Sequence, residues 1–349
     1  MGMKLLGTMM VLWSVLSASS SFAISVGFNQ SWFHNDYGSQ FLDSRFDRNE
    51  VERIFDLSSS AGANNLRLWF FESPDFPMLE WKKRKLVGIR ADYIRNVVET
   101  LRIARSRNHR VYVTFLDAHA YRPDLLSLEQ LLRLRSVYSE KGGEIFLQRA
   151  IGPLLSAIET AGLSNVISRI DLSNEMDAVI NRFGFDGDWK GASRMLCQWR
   201  AFIQRHSSFS STPVTFSIRL HPLVQLPANL LDDQGPMACG DFIDFHSYDD
   251  RGRILRCGEL RAYAASGKKE LVLGEFGQSY FNLRYDDELQ TRLTSNYIRT
   301  AESCGFREAL AWRLSDVRPG YNKEARYSYE SHGVLRPAFR VIQKHNSTR

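Results

Sequence analysis

Eight short apolar runs, rich in valine, isoleucine, leucine and phenylalanine, recur along the chain. Runs of this length and composition, bounded by polar and turn-forming residues, predict buried β-strands. They lie at 24–30, 64–71, 110–119, 167–175, 213–220, 241–248, 270–277 and 308–316. The pattern therefore predicts eight strands along the chain.

Amphipathic segments with helical periodicity separate these runs. They lie at 48–62, 91–108, 144–162, 189–206 and 286–304, with a weaker prediction at 255–267. Gly62 and Gly162 end two of them, as glycine often does at helix C-termini. Strand and helix alternating eight times predict an α/β fold, a single (β/α)8 TIM barrel. The alternative, a doubly wound open sheet, usually carries a glycine-rich phosphate loop after an early strand, and GFNQSW is no such loop.

Residues 1–23 resemble a secretory signal peptide. Lys4 precedes an apolar run at 5–16 that is too short to span a bilayer, and small residues follow up to Ala23. The alternative is an uncleaved N-terminal anchor. We expect a mature catalytic domain at 24–349, without membrane attachment after cleavage, in the periplasm or outside the cell.

Composition adds few constraints. The chain has 349 residues, 44% hydrophobic and 24% charged, as in an ordinary globular protein. The formal net charge is +6 and the pI is about 9.1, but the basic residues are dispersed. A solvated surface explains this better than nucleic-acid binding, although an anionic polysaccharide or cell envelope would gain weakly from the charge. We expect a monomer.

The cysteines suggest an oxidising compartment. There are four, which allow three pairings, and Cys239 and Cys257 flank one predicted strand, so we guess that they pair. No C-x-x-C motif supports a zinc site, and we expect neither a metal nor a cofactor.

Titratable and aromatic side chains follow the buried part of several predicted strands. In a TIM barrel the active site lies at the C-terminal strand ends, where these side chains would converge. They are Arg67, Asp117, His119, Asn174, Glu175, His246, Tyr248, Glu275 and Trp312. Taken singly, each has an ordinary structural explanation, such as a helix cap, a core indole or a hydrogen-bonded histidine. Glu275 is the hardest to explain as a structural residue, because a carboxylate beside a packed core costs free energy unless it has a partner.

Side-chain alternation gives Glu275 the same orientation as Leu271 and Leu273, so we expect all three to face the barrel interior. Two carboxylates facing each other across a cleft suit glycoside hydrolysis. We expect Glu275 to stay ionised beside Arg67 and Tyr248, and Glu175 to be the proton donor.

In these positions the sequence resembles a clan A glycoside hydrolase, close to the cellulase-like glycoside hydrolase family 5. The resemblance rests on an ordered set across the whole mature chain: Arg67, His119, Asn174, Glu175, His246, Tyr248, Glu275 and Trp312. It implies a retaining mechanism with Glu175 as acid/base and Glu275 as nucleophile. It also implies that Arg67 and Tyr248 hold the nucleophile, and that Asn174 binds the sugar 2-hydroxyl. His119 and His246 would line the site, and Trp312 would stack beneath the sugar. Met176 replaces the proline that usually follows this glutamate, which puts the loop shape in doubt.

Aromatic side chains at the rim would set the substrate. We expect Trp32 and Trp69 to be exposed and to stack on sugar rings, and Asp117 to orient His119 or bind sugar. The predicted function is a secreted, endo-acting β-glycosidase that cleaves a glucan, mannan or exopolysaccharide. A catalytically weak or inactive carbohydrate-binding barrel is the alternative. A lyase or metal-dependent barrel is a further one, for which Asp117 and His119 offer only two ligands.

Overall fold

Eight segments of parallel strand wrap into a barrel in the computed structural model. The structure describes residues 24–33, 39–72, 76–117, 127–183, 189–278, 286–316 and 328–348, without the side chains of 181–183. The strands are β1 Ser25–Asn29, β2 Asn65–Trp69, β3 Leu79–Lys82, β4 Lys85–Ile89, β5 Arg110–Asp117, β6 Ile167–Asn174, β7 Val214–Thr215, β8 Ser217–Arg219, β9 Phe242–Ser247, β10 Glu270–Phe276, β11 Glu308–Ala311, β12 Glu330–Ser331 and β13 Val334–Leu335. All eight strand predictions are confirmed.

The large sheet has the order β7-β6-β5-β2-β1-β11-β10-β9-β8, with every pairing parallel. Its two ends, β7 and β8, are consecutive halves of the fifth predicted strand, interrupted at Phe216. β7 pairs with β6 and β8 pairs with β9, so this one segment closes the barrel. The predicted (β/α)8 fold is confirmed.

Helices cover the outside of the barrel. They are α1 Arg48–Ser60, α2 Ala91–Ser106, α3 Leu128–Tyr138, α4 Glu140–Phe146, α5 Gly152–Thr160, α6 Met176–Phe183, α7 Trp189–Gln204, α8 Cys257–Ala265, α9 Asp287–Cys304 and α10 Pro337–Ser347. Gly62 and Gly162 adopt φ values of 68° and 64° just beyond α1 and α5, as the helix-end prediction requires. The antiparallel β3–β4 hairpin and α10 are additions that the strand–helix pattern did not predict.

The expectation of a helix after every strand is wrong at one place. Between the fifth and sixth barrel strands the described residues 220–241 form turns and carry no helix. Pro222, Pro227 and Pro236 recur there, and each removes a backbone donor and clashes with the preceding turn of a helix.

The two disulfides correct the guessed pairing. Cys197 is bonded to Cys239, and Cys257 is bonded to Cys304. The bonded Cα atoms lie 5.1 and 5.0 Å apart, and the partners are Cys197 on α7 and Cys304 at the end of α9. The pairing depends on which helices the fold brings together, and a short separation in the sequence does not show this.

Side chains form layers inside the barrel. Toward the N-terminal strand ends Arg169 binds Glu270 at 2.7 Å and Glu308 at 2.6 Å. The next layer is a small apolar cluster of Tyr112, Phe242, Val272 and Leu310. Beyond it the interior becomes polar again, and this polar layer is the floor of the candidate site.

The orientation predicted for β10 is wrong in one respect. Leu271 and Leu273 pack in the large outer core, whereas Val272 joins the interior cluster. The register with β9 shifts between Leu273 and Glu275, which is a β-bulge, and this shift turns Glu275 inward. Gly274 lies at the bulge, where an added Cβ would come within 2.1 Å of Asp244 Oδ1. Glycine is required there because the Asp244 carboxylate fills that space.

The signal-peptide prediction for residues 1–23 lies outside the described residues. Within the described part of the chain, the helices fall short of the length and apolarity needed to cross a bilayer.

Candidate active site

Glu275 lies at the end of β10 with both carboxylate oxygens held. Oε1 accepts a hydrogen bond of 2.6 Å from Arg67 Nη1, and Oε2 accepts one of 2.5 Å from the Tyr248 hydroxyl. The residue is 3% exposed. Burial, and then the Glu275 charge, raise the pKa of Tyr248 well above its usual value, so the phenol remains a donor. Both partners predicted for Glu275 are therefore confirmed as contacts.

Arg67 donates hydrogen bonds to four side chains at the polar floor of the site. Its other guanidinium nitrogen, Nη2, donates to Asp171 Oδ2 at 2.6 Å and to Asn174 Oδ1 at 2.9 Å, while Nη1 also reaches Asn29. Burial alone would lower the pKa of Arg67, but Asp171 and Glu275 outweigh it and the pKa is raised. The guanidinium thus stays charged in a fully buried position, and its fork geometry lets Nη1 hold Glu275 while Nη2 holds Asp171 and Asn174.

Glu175 follows β6 in a left-handed backbone conformation with φ of 49°. Such a conformation is sparsely populated for residues other than glycine. Its N–H donates to Ser217 Oγ at 2.9 Å, and its carbonyl accepts from the Ala178 N–H at 2.7 Å at the start of α6. These bonds hold the turn between β6 and α6, so that the buried carboxyl group lies against His246 on β9 and Arg219 on β8.

His246 connects the two acids. Its Nδ1 lies 3.2 Å from Glu175 Oε1 and 3.5 Å from Glu275 Oε2. Burial lowers the pKa of His246, but Glu275 and the hydrogen bond with Glu175 raise it more. One oxygen of each glutamate and one nitrogen of His246 all lie within 4.8 Å of one another. The two carboxylates therefore face each other directly.

Asn174 is anchored on both sides of its amide. Oδ1 accepts from Arg67, and Nδ2 donates to Asp117 Oδ1 at 3.0 Å. Asp117 thus contacts Asn174. Its expected partner His119 lies outside the described residues.

Trp312 is partly exposed, but the exposure expected of Trp32 and Trp69 is wrong. They are 4% and 1% exposed, and both meet Trp312 edge to face, with ring centroids 5.8 and 5.6 Å apart. Trp69 also lies under Arg67, with the guanidinium carbon 4.2 Å from the ring centroid. The Trp32 indole N–H donates to Glu72. Both indoles therefore pack against Trp312, and Trp69 also packs against Arg67.

Several residues of the site were not predicted from the sequence. Asp171 and Asp244 lie within the barrel, and Arg219 ends β8 beside Asp177 and Glu175. Each is a charged residue at a strand position that is otherwise apolar, which is the signal that marked Arg67. Applying that signal to the fifth strand, FSIRL, would have found Arg219.

No family model matches the sequence, and no curated protein matches it. Solved structures do match. An exo-β-1,4-mannosidase from Opitutaceae bacterium strain TAV5 aligns with 93% of this chain at 15% identity and a TM-score of 0.68, and the chain spans 59% of that protein's length. A β-mannanase from the blue mussel Mytilus edulis aligns with 93% of this chain and 92% of its own, at 17% identity and a TM-score of 0.65.

A GH5_18 protein from Streptomyces cattleya, solved in complex with Manβ1-4GlcNAc, aligns with 93% of this chain and 80% of its own. The identity is 15% and the TM-score is 0.69. At these identities the likeness concerns the fold. It supports the (β/α)8 barrel fold of this chain.

Proposed function

We propose that this protein is a retaining β-glycoside hydrolase. The observation that carries the proposal is the approach of the Glu175 and Glu275 oxygens, which lie within 4.8 Å of one another. Retaining enzymes place their two carboxyl groups about 5–5.5 Å apart, whereas inverting enzymes need roughly 6.5–9.5 Å to admit a water molecule between acid and base. The spacing supports direct attack by a carboxylate.

In the first step a Glu275 oxygen attacks the anomeric carbon while Glu175 gives its proton to the glycosidic oxygen. A carbon–oxygen bond to the enzyme forms, the bond to the leaving group breaks, and Glu275 becomes a neutral ester. Glu175, now ionised, then takes a proton from water, and the water oxygen attacks the same carbon. The ester bond breaks and both glutamates return to their starting forms.

The surrounding residues favour these two roles. Arg67 and Tyr248 donate to opposite oxygens of Glu275, which holds its carboxylate in place for attack. Asn174, already bonded to Arg67 and Asp117, would present its amide to the sugar 2-hydroxyl. Trp312 would provide the stacking surface.

For the substrate we propose a β-linked polysaccharide or oligosaccharide, with mannose-containing β-1,4 chains as the first candidates. The support is that similar structures include an exo-β-1,4-mannosidase and a β-mannanase. β-Glucan and exopolysaccharide are further candidate substrates. We propose that the enzyme cleaves at internal bonds of the polysaccharide. We further propose an exported monomer that acts outside the cytoplasm, a location that the two disulfides favour.

The test assays wild type, Glu275→Gln and Glu175→Ala on β-mannan, β-glucan and exopolysaccharides, with reducing ends as the readout. Glu259→Gln is the matched control, because Glu259 lies on α8 and pairs with Arg256. We expect both site variants to lose most activity and the control to keep it. Azide should restore turnover only in Glu175→Ala, where it replaces the water that needs a base. Full activity in either site variant would overturn the role of that residue, and binding without cleavage by wild type would favour a carbohydrate-binding barrel.

A further inference from the structure

Each carboxylate oxygen of Glu175 has its own nitrogen-bearing neighbour. Oε1 faces His246 Nδ1 at 3.2 Å, and Oε2 faces Arg219 Nε at 3.2 Å. Glu175 is only 3% exposed, whereas the Arg219 side chain at the end of β8 is 19% exposed. A guanidinium group this close to the general acid favours the ionised form, which opposes the first step of the proposed reaction.

Asp177 binds the same guanidinium group. Its Oδ2 accepts from Arg219 Nε at 2.9 Å and lies 2.8 Å from Nη2, while its Oδ1 accepts from the Arg219 backbone N–H at 2.9 Å. Asp177 belongs to the first turn of α6, two residues after Glu175, and its side chain is fully buried. Burial raises the pKa of Asp177 to about 6; Arg219 lowers it and Glu175 raises it. Glu175 therefore faces a cation and an anion held together.

We propose that Arg219 and Asp177 are positioning residues that set, with opposite signs, the pH at which Glu175 changes from proton donor to base. The inference rests on the proposed function. Arg219 stabilises the carboxylate that Glu175 presents after proton transfer. Asp177 offsets that charge, which favours the protonated Glu175 that the first step requires. Among the residues that the structure describes, the other charged or titratable groups that face Glu175 are His246 and Tyr248, on and just after β9, and Glu275 on β10.

The direction in which the Glu175 titration shifts in each variant follows from the charge that the substitution removes. In Arg219→Gln, Glu175 loses a cation at 3.2 Å and should titrate at higher pH, by about one unit or more. In Asp177→Asn, the cation is no longer offset and Glu175 should titrate about one unit lower. The double variant replaces a neutral pair by another neutral pair, so its titration should return close to that of wild type. A purely structural role would not produce opposite shifts that cancel.

The titration is measured directly by ¹³C NMR of protein labelled at the glutamate carboxyl carbons, with the Glu175 signal assigned by its loss in Glu175→Gln. This readout does not depend on turnover. The alkaline limb of kcat/KM, which reports the acid in the free enzyme, is measured beside it. Arg219→Lys should stay close to wild type because it keeps the charge. Arg200→Gln is the matched control: Arg200 makes a similar two-nitrogen pair with Asp241, on α7 and before β9, and its loss should move neither readout.

Opposite shifts of the Glu175 signal, cancelled in the double variant, support the inference. If those shifts occur in a protein that cleaves no glycoside, the proposed function fails while the charge effect stands. Shifts of the same sign, or no shift in Arg219→Gln, overturn the inference whatever the activity. Should circular dichroism show that Asp177→Asn does not fold, Arg219→Gln and Arg219→Lys still decide, because only the loss of charge should move the signal.

Discussion

Asp244 is a buried acid at the floor of the site, and its replacement by asparagine should change how stability depends on pH. Oδ1 accepts from the Gly274 N–H at 2.9 Å, and Oδ2 accepts from the Tyr112 hydroxyl. His246 Nε2 lies 3.9 Å from Oδ1. Burial raises the pKa of Asp244 from 3.8 to about 6, and His246 and then Arg67 limit the rise.

The sign follows from proton binding. Between pH 3.8 and about 6 the folded protein holds the Asp244 proton while the unfolded chain has released it. The free energy of unfolding therefore falls as pH rises through this window and stays lower above it. The pKa difference between the folded and the unfolded state corresponds to a total decrease of roughly 3 kcal/mol in the free energy of unfolding. Of this decrease, roughly 2 kcal/mol occurs between pH 4 and 7. Asparagine cannot titrate, and it removes a charge that raises the pKa of His246, an effect of the same sign.

Urea unfolding followed by tryptophan fluorescence at pH 4, 5, 6 and 7 measures this difference. Relative to Asp244→Asn, wild type should lose roughly 2 kcal/mol over the series. Asp233→Asn is the control: Asp233 is exposed, its hydrogen bond with Lys268 lowers its pKa, and its removal should give a slight change of opposite sign. Parallel curves for wild type and Asp244→Asn would refute the reasoning, because they would mean that Asp244 releases its proton equally easily in both states.

Two further substitutions have expected magnitudes. Tyr248→Phe removes a 2.5 Å hydrogen bond to Glu275, the proposed nucleophile, and since such bonds to charged groups contribute about 1.5–3 kcal/mol, kcat/KM should fall roughly 10- to 100-fold. Michaelis kinetics check this, and rates equal to wild type would contradict the holding role. Replacing Cys257 and Cys304 together by alanine opens a loop spanning 47 positions, and the chain-entropy relation gives a loss of about 4 kcal/mol. Urea denaturation should show that loss with kinetics at 25 °C unchanged, whereas undiminished stability would contradict it.

The sequence predicted the strand ends well because the buried runs are short, apolar and followed by titratable residues. It did not predict the orientation along β10, because side-chain alternation holds only while the strand is regular. Gly274 was the available signal, since a glycine inside a strand often marks a bulge. The partner that requires it, Asp244, lies on another strand, and only the closed barrel brings the two together.

The burial of the rim aromatics Trp32 and Trp69 could not be predicted from the sequence either. An indole near a strand end can face solvent or pack on a neighbour, and Trp32 and Trp69 both pack against Trp312. The residue type of Arg219 was a usable signal, but its contacts with Glu175 and Asp177, which lie more than 40 positions earlier, could not be predicted. Residue type marked these sites, but the contacts depend on the way the strands are arranged around the barrel.

The central claim is that Glu275 attacks the sugar directly and that Glu175 serves as acid and then as base. Proton NMR of the first product formed from the best β-linked substrate tests it most directly, if spectra are recorded before the anomers equilibrate. Double displacement by two carboxylates whose oxygens lie within 4.8 Å of one another predicts the β-anomer as the first product. The α-anomer as the first product would mean that water attacks in a single displacement, and would contradict the nucleophile role of Glu275.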